Sequence, residues 1–255
     1  MGDPSRTGEG AFDRIGREFD LAREAPWEFV VDWLRGLECP PGPLLDLGCG
    51  NGRHMQLAGS MGYECVGVDA SAEMLATARR RLGPTARLVR GDARAVPLGP
   101  MAASVVLCVA VVHHIRDGRD RARAVLEVAR ALRPGGHALI SVWALDDPGV
   151  AARARARPEA AGGGGAGSGG GSGGGGSSGG GSVVDGGDGR DLLVPWRASP
   201  GGPVDRYYRA IGTGELAALC GGAGLEVAWA GERGANHVVS ARRPLDWHPP
   251  RAPDL

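Results

Sequence analysis

Two carboxylates and three glycines carry the clearest chemical signal in this chain of 255 residues. Asp46 opens the segment D-L-G-C-G-N-G, whose glycines fall at positions 48, 50 and 52. Glycines at a turn let the backbone bend sharply and let a ligand come closer than a Cβ atom would allow. Asp69 lies about 20 residues further on, where nucleotide-binding α/β units place the carboxylate that binds ribose hydroxyls. Together these residues predict a site for a nucleoside cofactor.

The acid at position 46 helps to distinguish between nucleoside cofactors. Dinucleotide folds usually carry G-x-G-x-x-G, with the pyrophosphate at a helix N-terminus. This chain has G-x-G-x-G behind Asp46, and a carboxylate there would repel a pyrophosphate but attract the cationic amino group of a methionine moiety. A structural turn without a ligand is the alternative interpretation of the glycines.

The elements that position these residues follow from the spacing of apolar side chains. Strands are predicted over 44–47, 63–69, 86–90, 105–109, 137–143, 225–230 and 237–241, and helices over 52–60, 72–82, 120–132 and 215–220. Ser71 is the predicted N-cap of the helix over 72–82, and Pro26 divides two amphipathic helices between 12 and 37. The alternation of strands and helices predicts an α/β fold with a mostly parallel seven-stranded sheet and helices on both faces.

The domain organisation follows from local composition. Residues 1–10 are predicted to be a disordered tail, and residues 243–255 a proline-rich disordered tail. One domain over 11–242 lies between them. A segment of nearly pure Gly and Ser interrupts this domain at about 155–188, and such a composition behaves as a flexible coil.

Overall composition sets limits on location and partners. The net charge is zero, which gives no general attraction to nucleic acid or to a membrane. The five cysteines are scattered and never form C-x-x-C, which argues against a disulfide framework and against a zinc or other metal site. We expect no signal peptide and no membrane span, and hence a cytoplasmic or nuclear protein.

Two adjacent histidines are candidates for the acceptor site. The strand predicted over 105–109 continues into A-V-V-H-H-I, which includes His113 and His114. Ligands of α/β sheets bind at the carboxyl ends of the strands, so this turn is expected to face the reacting group. Structural histidines are the alternative.

The cofactor motifs resemble those of the class I S-adenosylmethionine-dependent methyltransferases. The resemblance rests on D-x-G-x-G-x-G, on Asp69 and on Gly91-Asp92-Ala93, and it implies a Rossmann-like fold with S-adenosylmethionine as cofactor. It also implies that Asp69 binds the ribose hydroxyls and that Asp92 meets the adenine amino group. The cofactor-binding residues would be Asp46, Gly48, Cys49, Gly50, Gly52, Asp69, Ala70, Asp92, Ala93 and Val109.

A second set of motifs is similar to those of one methyltransferase family. The set comprises R-E-A-P-W at 23–27, A-V-V-H-H at 110–114, L-R-P-G-G at 132–136, V-W-A-L at 142–145, V-P-W at 194–196 and R-Y-Y at 206–208. It resembles the eukaryotic tRNA wobble-uridine methyltransferases of the yeast type and the AlkB-homologue-eight type. The resemblance implies methyl esterification of 5-carboxymethyluridine at the first anticodon position of tRNA. It also implies a possible small zinc-ribbon activator subunit as a partner.

This reaction would make modest demands on the acceptor site. A carboxylate with a pKa of about 4 is already ionised at pH 7, so no general base is needed. Arg23 and Arg206 are the candidates for holding the substrate carboxylate, because arginine binds carboxylates in a bidentate manner. The catalytic candidates are Arg23, His113, His114, Arg206 and Tyr207.

Aromatic side chains are candidates for binding the base. Trp143, Trp196, Tyr207 and Tyr208 could stack on a splayed nucleotide, as single-stranded RNA recognition often requires. Packing in the core is the alternative. Strand alternation predicts that one ring of the tyrosine pair is buried and that the other is available.

Two other functions stay open. The first is a methyltransferase of the same fold that acts on a small metabolite, which the neutral charge favours. The second is an inactive cofactor-binding scaffold. The intact set of Asp46, Asp69, Asp92 and the glycines argues against a scaffold, since folding alone does not require acids at those strand ends.

Overall fold

The computed structural model describes residues 10–15, 24–37, 42–156, 190–196 and 204–250. The helices are α1 (Glu28–Gly36), α2 (Arg53–Ser60), α3 (Ala72–Leu82), α4 (Gly118–Ala131), α5 (Pro148–Ala156) and α6 (Thr213–Gly222), with a 3₁₀ turn at Val112–His114. Residues 11–15 are also helical. The strands are β1 (Pro43–Leu47), β2 (Glu64–Asp69), β3 (Arg87–Arg90), β4 (Ala103–Val109), β5 (Leu132–Trp143), β6 (Asp191–Trp196), β7 (Val204–Arg209), β8 (Glu226–Arg233) and β9 (Asn236–Arg242).

Seven of these strands form one twisted α/β sheet in the order β3-β2-β1-β4-β5-β9-β8. Strands β1 to β5 are parallel to one another, while β9 runs antiparallel to both β5 and β8. The predicted mostly parallel sheet of seven strands is therefore confirmed. The Rossmann-like order follows from right-handed crossovers that place helices on the two faces.

Alternating side chains of the central strands bury both faces of the sheet. Leu45 and Leu47 of β1 belong to the same apolar cluster as Val125 of α4. Leu44, which points the other way, lies in a second cluster with Val30 of α1. This period of two explains why β1 is apolar at nearly every position.

The order of the strands places a crevice beside β1. The chain moves from β1 outward to β2 and β3, and then returns to β4 on the other side of β1. Such a reversal is where open α/β sheets bind ligands, at the carboxyl ends of the strands. The loops after β1, β2 and β4 therefore meet at one edge.

Two helix starts show why the sequence folds as it does near this edge. The hydroxyl of Ser71 accepts a hydrogen bond from the Met74 amide (3.2 Å), which confirms the predicted cap of α3. Asp117 caps α4, with Oδ1 accepting from the amides of Arg119 (2.8 Å) and Asp120 (3.2 Å). Helix α4 consequently starts at Gly118, two residues earlier than predicted.

Strands β6 and β7 form a separate antiparallel hairpin that the sequence did not predict. The register pairs Leu192 with Tyr208 and Val194 with Arg206. From its sequence alone, the segment 192–196 is a short apolar run without a predicted partner strand. The seven residues between the two strands, 197–203, exceed the two-residue loops that give the clearest hairpin signal in a sequence.

The prediction of a disordered tail from residue 243 onward is wrong for residues 243–250. The guanidinium of Arg243 donates to the carbonyls of Ala129 (3.1 Å), Arg130 (3.2 Å) and Leu132. The indole of Trp247 donates to the Ala223 carbonyl at the end of α6 (2.8 Å). Both side chains satisfy carbonyls at helix ends, and this long-range role has no signature in local composition.

Other parts of the predicted organisation lie outside the described residues. These are residues 1–9 of the first tail, residues 251–255 of the second and nearly all of the Gly/Ser insert. Among the helices that are described, none is long and apolar enough to cross a membrane.

Candidate active site

A cavity of about 740 Å³ opens at the carboxyl ends of β1, β2 and β4. The glycine loop after β1, the acid at the end of β2 and the turn after β4 all line it. Phe12, from the helical residues 11–15, lines the same cavity. The predicted edge of the sheet is therefore a concave site, large enough for a small-molecule ligand.

The three glycines of the loop meet two different requirements. Gly48 has φ +74°, and a Cβ atom there would lie 2.3 Å from a methyl group of Val111. Gly52 has φ +77°, and a Cβ atom there would lie 2.8 Å from the side chain of Leu82. Gly50 has φ +53° and open space around it, so its backbone is accessible to a ligand. The loop is anchored by the Gly48 amide, which donates to the Val68 carbonyl (2.7 Å).

Asp46 is a buried carboxylate behind this loop. It is 1% exposed, it does not line the cavity, and its Oδ2 atom has no hydrogen-bond partner within the described residues. Burial raises the pKa of this carboxyl to about 7, with a further contribution from the charge of Asp69, which Arg53 opposes. A buried carboxylate oxygen without a hydrogen-bond partner is costly for folding alone, so this position is suited to a nearby cation.

Asp69 reaches the cavity from the end of β2. Its Oδ2 atom accepts a hydrogen bond from the Gly50 amide (2.8 Å) and its Oδ1 atom accepts one from the Ser71 amide (2.9 Å). Burial raises the pKa of Asp69, while these amides oppose the increase. Because each oxygen has a second lone pair, the carboxylate can still accept hydrogen bonds from two hydroxyls. Ala70, the next residue, also lines the cavity.

Asp92 lines the cavity after β3 but already has a partner. Arg94 donates to both of its oxygens, from Nε to Oδ1 (2.9 Å) and from Nη2 to Oδ2 (2.6 Å). These hydrogen bonds lower the pKa of Asp92, which keeps it ionised. No motif in the sequence predicts this contact of Asp92 with Arg94. The predicted contact of Asp92 with an adenine amino group stays a prediction.

Three further residues of the predicted cofactor site lie where expected. Cys49, Ala93 and Val109 all line the cavity. Burial and the charge of Asp46 raise the pKa of the Cys49 thiol, which therefore acts as a small apolar side chain. Among the described residues, no group of three or more His, Cys, Asp or Glu side chains could hold a metal ion.

Four rings in continuous contact form what we call the aromatic wall: His113, His114, Trp143 and Tyr208. The ring of Tyr208 stacks on His113 (5.1 Å between centroids) and on Trp143 (5.0 Å), and lies 4.5 Å from His114. His114, Trp143 and Tyr208 line the cavity. The Trp143 amide donates to Nδ1 of His113 (3.2 Å), so the ring proton of a neutral His113 lies on Nε2. The wall can support a planar ligand by stacking.

Arg206 and Trp196 lie behind this wall and do not line the cavity. The Arg206 guanidinium is 5.0 Å from the Trp196 ring and 5.3 Å from the Tyr208 ring. Arg206 is 1% exposed, and none of its guanidinium nitrogens has a hydrogen-bond partner within the described chain. Burial lowers the pKa of this guanidinium. Such a cation, sandwiched between rings without an anion, is energetically unfavourable unless it serves a ligand.

The expectation that one tyrosine ring of the pair would be available to solvent is wrong. Tyr207 is 3% exposed and Tyr208 is 1% exposed. The hairpin is covered on both faces: Tyr208 packs in the aromatic wall, while the Tyr207 ring lies under the guanidinium of Arg116 (4.7 Å). The Tyr207 hydroxyl donates to Oδ1 of Asp191 (2.8 Å), and burial together with this bond raises its pKa. Tyr207 is therefore a hydrogen-bond donor at pH 7 and does not line the cavity.

Arg23, the remaining catalytic candidate, lies outside the described residues. Two further residues, Phe12 and Ala110, line the cavity without being among the predicted site residues. Phe12 packs edge-on against His114 (4.9 Å), and Asp13 accepts a hydrogen bond from the Ser71 hydroxyl (2.6 Å). Ala110, directly after β4, has φ +61°, a strained conformation of the kind that clusters at functional sites. Long-range packing creates these features, and only the apolar spacing that included Phe12 hinted at them.

Comparison with known proteins agrees with the interpretation of the cavity as a cofactor site. Residues 45–140 match the family model of the methyltransferase domain. Over 232 residues the chain is 30% identical to a putative methyltransferase of Encephalitozoon cuniculi. This alignment covers 89% of this chain and 92% of that protein.

A second relative carries a more specific name. Over 136 residues the chain is 34% identical to the tRNA (carboxymethyluridine(34)-5-O)-methyltransferase ALKBH8 of Mus musculus. The match covers 53% of this chain but 19% of the mouse protein, so the chain spans about a fifth of that relative's length.

A solved structure supports the fold. A chain in the complex between the Haloferax volcanii Trm112 methyltransferase activator and the putative methyltransferase superimposes with a TM-score of 0.64. The alignment covers 94% of this chain and 99% of that chain, at 14% identity.

Proposed function

This chain belongs to the S-adenosylmethionine-dependent methyltransferases, and we propose that it methylates the carboxylate of 5-carboxymethyluridine at position 34 of tRNA. The observation that carries the proposal is the aromatic wall with the buried Arg206 guanidinium behind it. A stacked nucleobase and a nearby anion are what this combination is suited to bind. The similarity to enzymes named for this reaction supports the same substrate.

The residues around the glycine loop fit the cofactor. The open backbone at Gly50 accommodates its close approach, and the free lone pairs of Asp69 suit its ribose hydroxyls. The orphaned oxygen of Asp46 suits the charge of its ammonium group. When bound, S-adenosylmethionine supplies an electrophilic methyl group on a sulfonium centre.

On the acceptor side, the chain has to orient the substrate and needs no strong base. A carboxylate with a pKa of about 4 is ionised at pH 7 and attacks without losing a proton. Positioning alone can lower the barrier by several kcal/mol. The aromatic wall orients the base, and the charge of Arg206 attracts the carboxylate toward the carboxyl end of β4.

The test uses an anticodon stem-loop with 5-carboxymethyluridine at position 34 and labelled S-adenosylmethionine. We expect label in a base-labile methyl ester of this nucleoside. A stem-loop with unmodified uridine at the same position is the matched control and should remain unlabelled. Absence of transfer to the modified stem-loop, with cofactor binding intact, would contradict the proposal.

The same methyl-transfer assay, run in a separate set of reactions, tests for a partner protein. We propose that a small zinc-ribbon activator subunit assists the chain, as the resemblance of the sequence implies. Transfer that appears or increases severalfold when such a subunit is co-expressed would support the partnership. Full activity and solubility of the chain alone would argue against it.

A small-molecule acceptor is the second candidate, and the zero net charge of the chain favours it. An RNA-binding domain often has a basic isoelectric point above about 9, whereas that of this sequence is about 7.0. Transfer to free carboxylated nucleosides but to no stem-loop would select this alternative.

Asp69→Asn is expected to weaken binding of S-adenosylhomocysteine about tenfold, because the amide loses the charge that strengthens hydrogen bonds from hydroxyls. Isothermal calorimetry measures the effect. Glu73→Gln, which removes the same charge from an exposed position on α3, is the matched control and should bind normally. Equal affinities of Asp69→Asn and the parent chain would refute the ribose assignment.

A further inference from the structure

The mouth of the cavity presents an arginine that makes no ion pair within the described residues. Arg116 follows the turn after β4, lines the cavity and has an exposed side chain. Its guanidinium lies over the ring of Tyr207, 4.7 Å from the centroid. Stacking on a buried ring limits the positions of the guanidinium but leaves its five N–H donors available.

The acids around the mouth have other partners. Asp191 accepts hydrogen bonds from the Tyr207 hydroxyl (2.8 Å) and from Nη1 of Arg209 (3.0 Å). Asp120 accepts a hydrogen bond from Nη1 of Arg94 (2.9 Å). Neither carboxylate is thus a partner of Arg116.

The third acid nearby, Asp117, serves as a helix cap. Its Oδ1 atom accepts two backbone hydrogen bonds at the start of α4. Within the described residues, Arg116 therefore remains a cation without a carboxylate partner at the entrance of the cavity.

The backbone that carries Arg116 is held in place. The buried Arg121 donates from Nη1 to the carbonyls of Ile115 (3.0 Å) and Arg116 (2.7 Å). Nδ1 of His114 lies 3.0 Å from the Tyr207 carbonyl and ties the same turn to β7. A fixed backbone together with a stacked guanidinium forms a preorganised anion site, which reduces the entropy lost on binding.

We infer that Arg116 binds a backbone phosphate of the RNA acceptor, next to the nucleotide that enters the cavity. The inference rests on the proposed function, since it requires an RNA acceptor. A guanidinium matches the planar, bidentate geometry of a phosphate, and a contact at the mouth fixes the strand while the base stacks on the aromatic wall. Arg206 serves the carboxylate from behind that wall, so the two arginines act on different anions.

The test measures binding of the stem-loop with unmodified uridine, which has phosphates but no carboxylate. For Arg116→Gln we expect binding weakened roughly three- to tenfold at low salt, and a plot of log affinity against log salt that is less steep by about 1. Arg116→Lys keeps the charge and should retain the slope while losing part of the affinity. Arg119→Gln, an exposed position on α4 outside the cavity, is the control of equal charge and should match the parent chain.

Other outcomes contradict the inference. An unchanged salt slope for Arg116→Gln, or an equal change for Arg119→Gln, would show that Arg116 contacts no phosphate. A loss confined to the stem-loop with 5-carboxymethyluridine would assign Arg116 to the carboxylate. Failure of the parent chain to methylate that modified stem-loop is a separate result, and it contradicts the proposed function.

Discussion

Asp46→Asn is expected to remove the pH dependence of cofactor binding and to weaken binding roughly 30-fold at pH 8. Burial raises the pKa of Asp46 to about 7, so its charge appears across the neutral range. A ligand ammonium favours the ionised form. Affinity in the parent chain should therefore rise about tenfold between pH 6 and pH 8, as the ionised fraction grows from about a tenth to about nine tenths. A charge-to-ammonium interaction of about 2 kcal/mol in a partly buried site accounts for the loss in the variant.

Comparison of two ligands distinguishes binding of the ammonium group by Asp46 from a general effect of the substitution on the cofactor site. S-adenosylhomocysteine keeps the ammonium group, whereas 5′-methylthioadenosine lacks the whole amino-acid portion. Calorimetry at pH 6, 7 and 8 should give a sloping profile for the first ligand and a flat one for the second. Asp32→Asn, an exposed acid on α1, controls for loss of one negative charge. A flat profile of the parent chain with S-adenosylhomocysteine, or equal weakening of both ligands by Asp46→Asn, would contradict the assignment.

The same substitution, which weakens cofactor binding, should raise the free energy of unfolding of the ligand-free chain. The pKa of Asp46 in the folded chain lies above its ordinary value of 3.8, so folding favours the protonated form. The contribution of this group to stability is present below about pH 4 and is lost as the pH rises to about 7. At pH 8 the ligand-free Asp46→Asn variant is expected to be more stable than the parent chain by roughly 2–4 kcal/mol, while near pH 4 the difference falls below about 1 kcal/mol. Urea denaturation at the two pH values measures it.

The polar floor of the site was predictable because it depends on local sequence. A strand that ends in an acid, a turn of glycines and a following helix are all encoded within about 25 residues. The Ser71 cap likewise needs only its neighbours. In each case a short segment specifies both the backbone conformation and the side chain at the strand end.

Strand ends were less predictable where tertiary pairing overrides turn residues. Pro134-Gly135-Gly136 indicates a break, yet β5 runs from Leu132 to Trp143. The register with β4 shifts between Ala103 and Val105, and this irregularity accommodates the extra residues. Local propensity marked the irregularity correctly but could not reveal that pairing continues across it.

The aromatic wall was only partly predictable for a related reason. Its members come from the turn after β4, from β5 and from β7, which are distant in the sequence. The motifs identified Trp143 and Tyr208 as candidates, but their order in the stack depends on how the β6–β7 hairpin packs on the sheet. Which face of β7 is covered is also a long-range property, and that is why the alternation argument failed for Tyr207.

Arg206→Met is expected to lower turnover about 30- to 100-fold while making the fold more stable. The attraction between the buried guanidinium and the substrate carboxylate, on the order of 2 kcal/mol at an effective dielectric of about 20, disappears in the variant. Because no hydrogen bond to a described residue is lost, replacing a buried cation with an apolar side chain of similar size should stabilise the chain by about 1–4 kcal/mol. Binding of S-adenosylhomocysteine should not change, since Arg206 packs against Trp196 and Tyr208 of the β6–β7 hairpin and not against the glycine loop.

Arg243→Met is the comparison variant, because Arg243 is a buried arginine that has hydrogen-bond partners. Its effects on stability and turnover should be the opposite of those of Arg206→Met. It removes hydrogen bonds to three helix-end carbonyls, so it should lower stability and leave the turnover of folded molecules unchanged. Arg206→Lys retains the charge and should recover part of the lost turnover. Steady-state kinetics with the modified stem-loop, together with urea denaturation, distinguish the variants. If Arg206→Met destabilises the chain, or keeps full turnover, the guanidinium is a structural element of the hairpin, and the acceptor carboxylate must be held by another group.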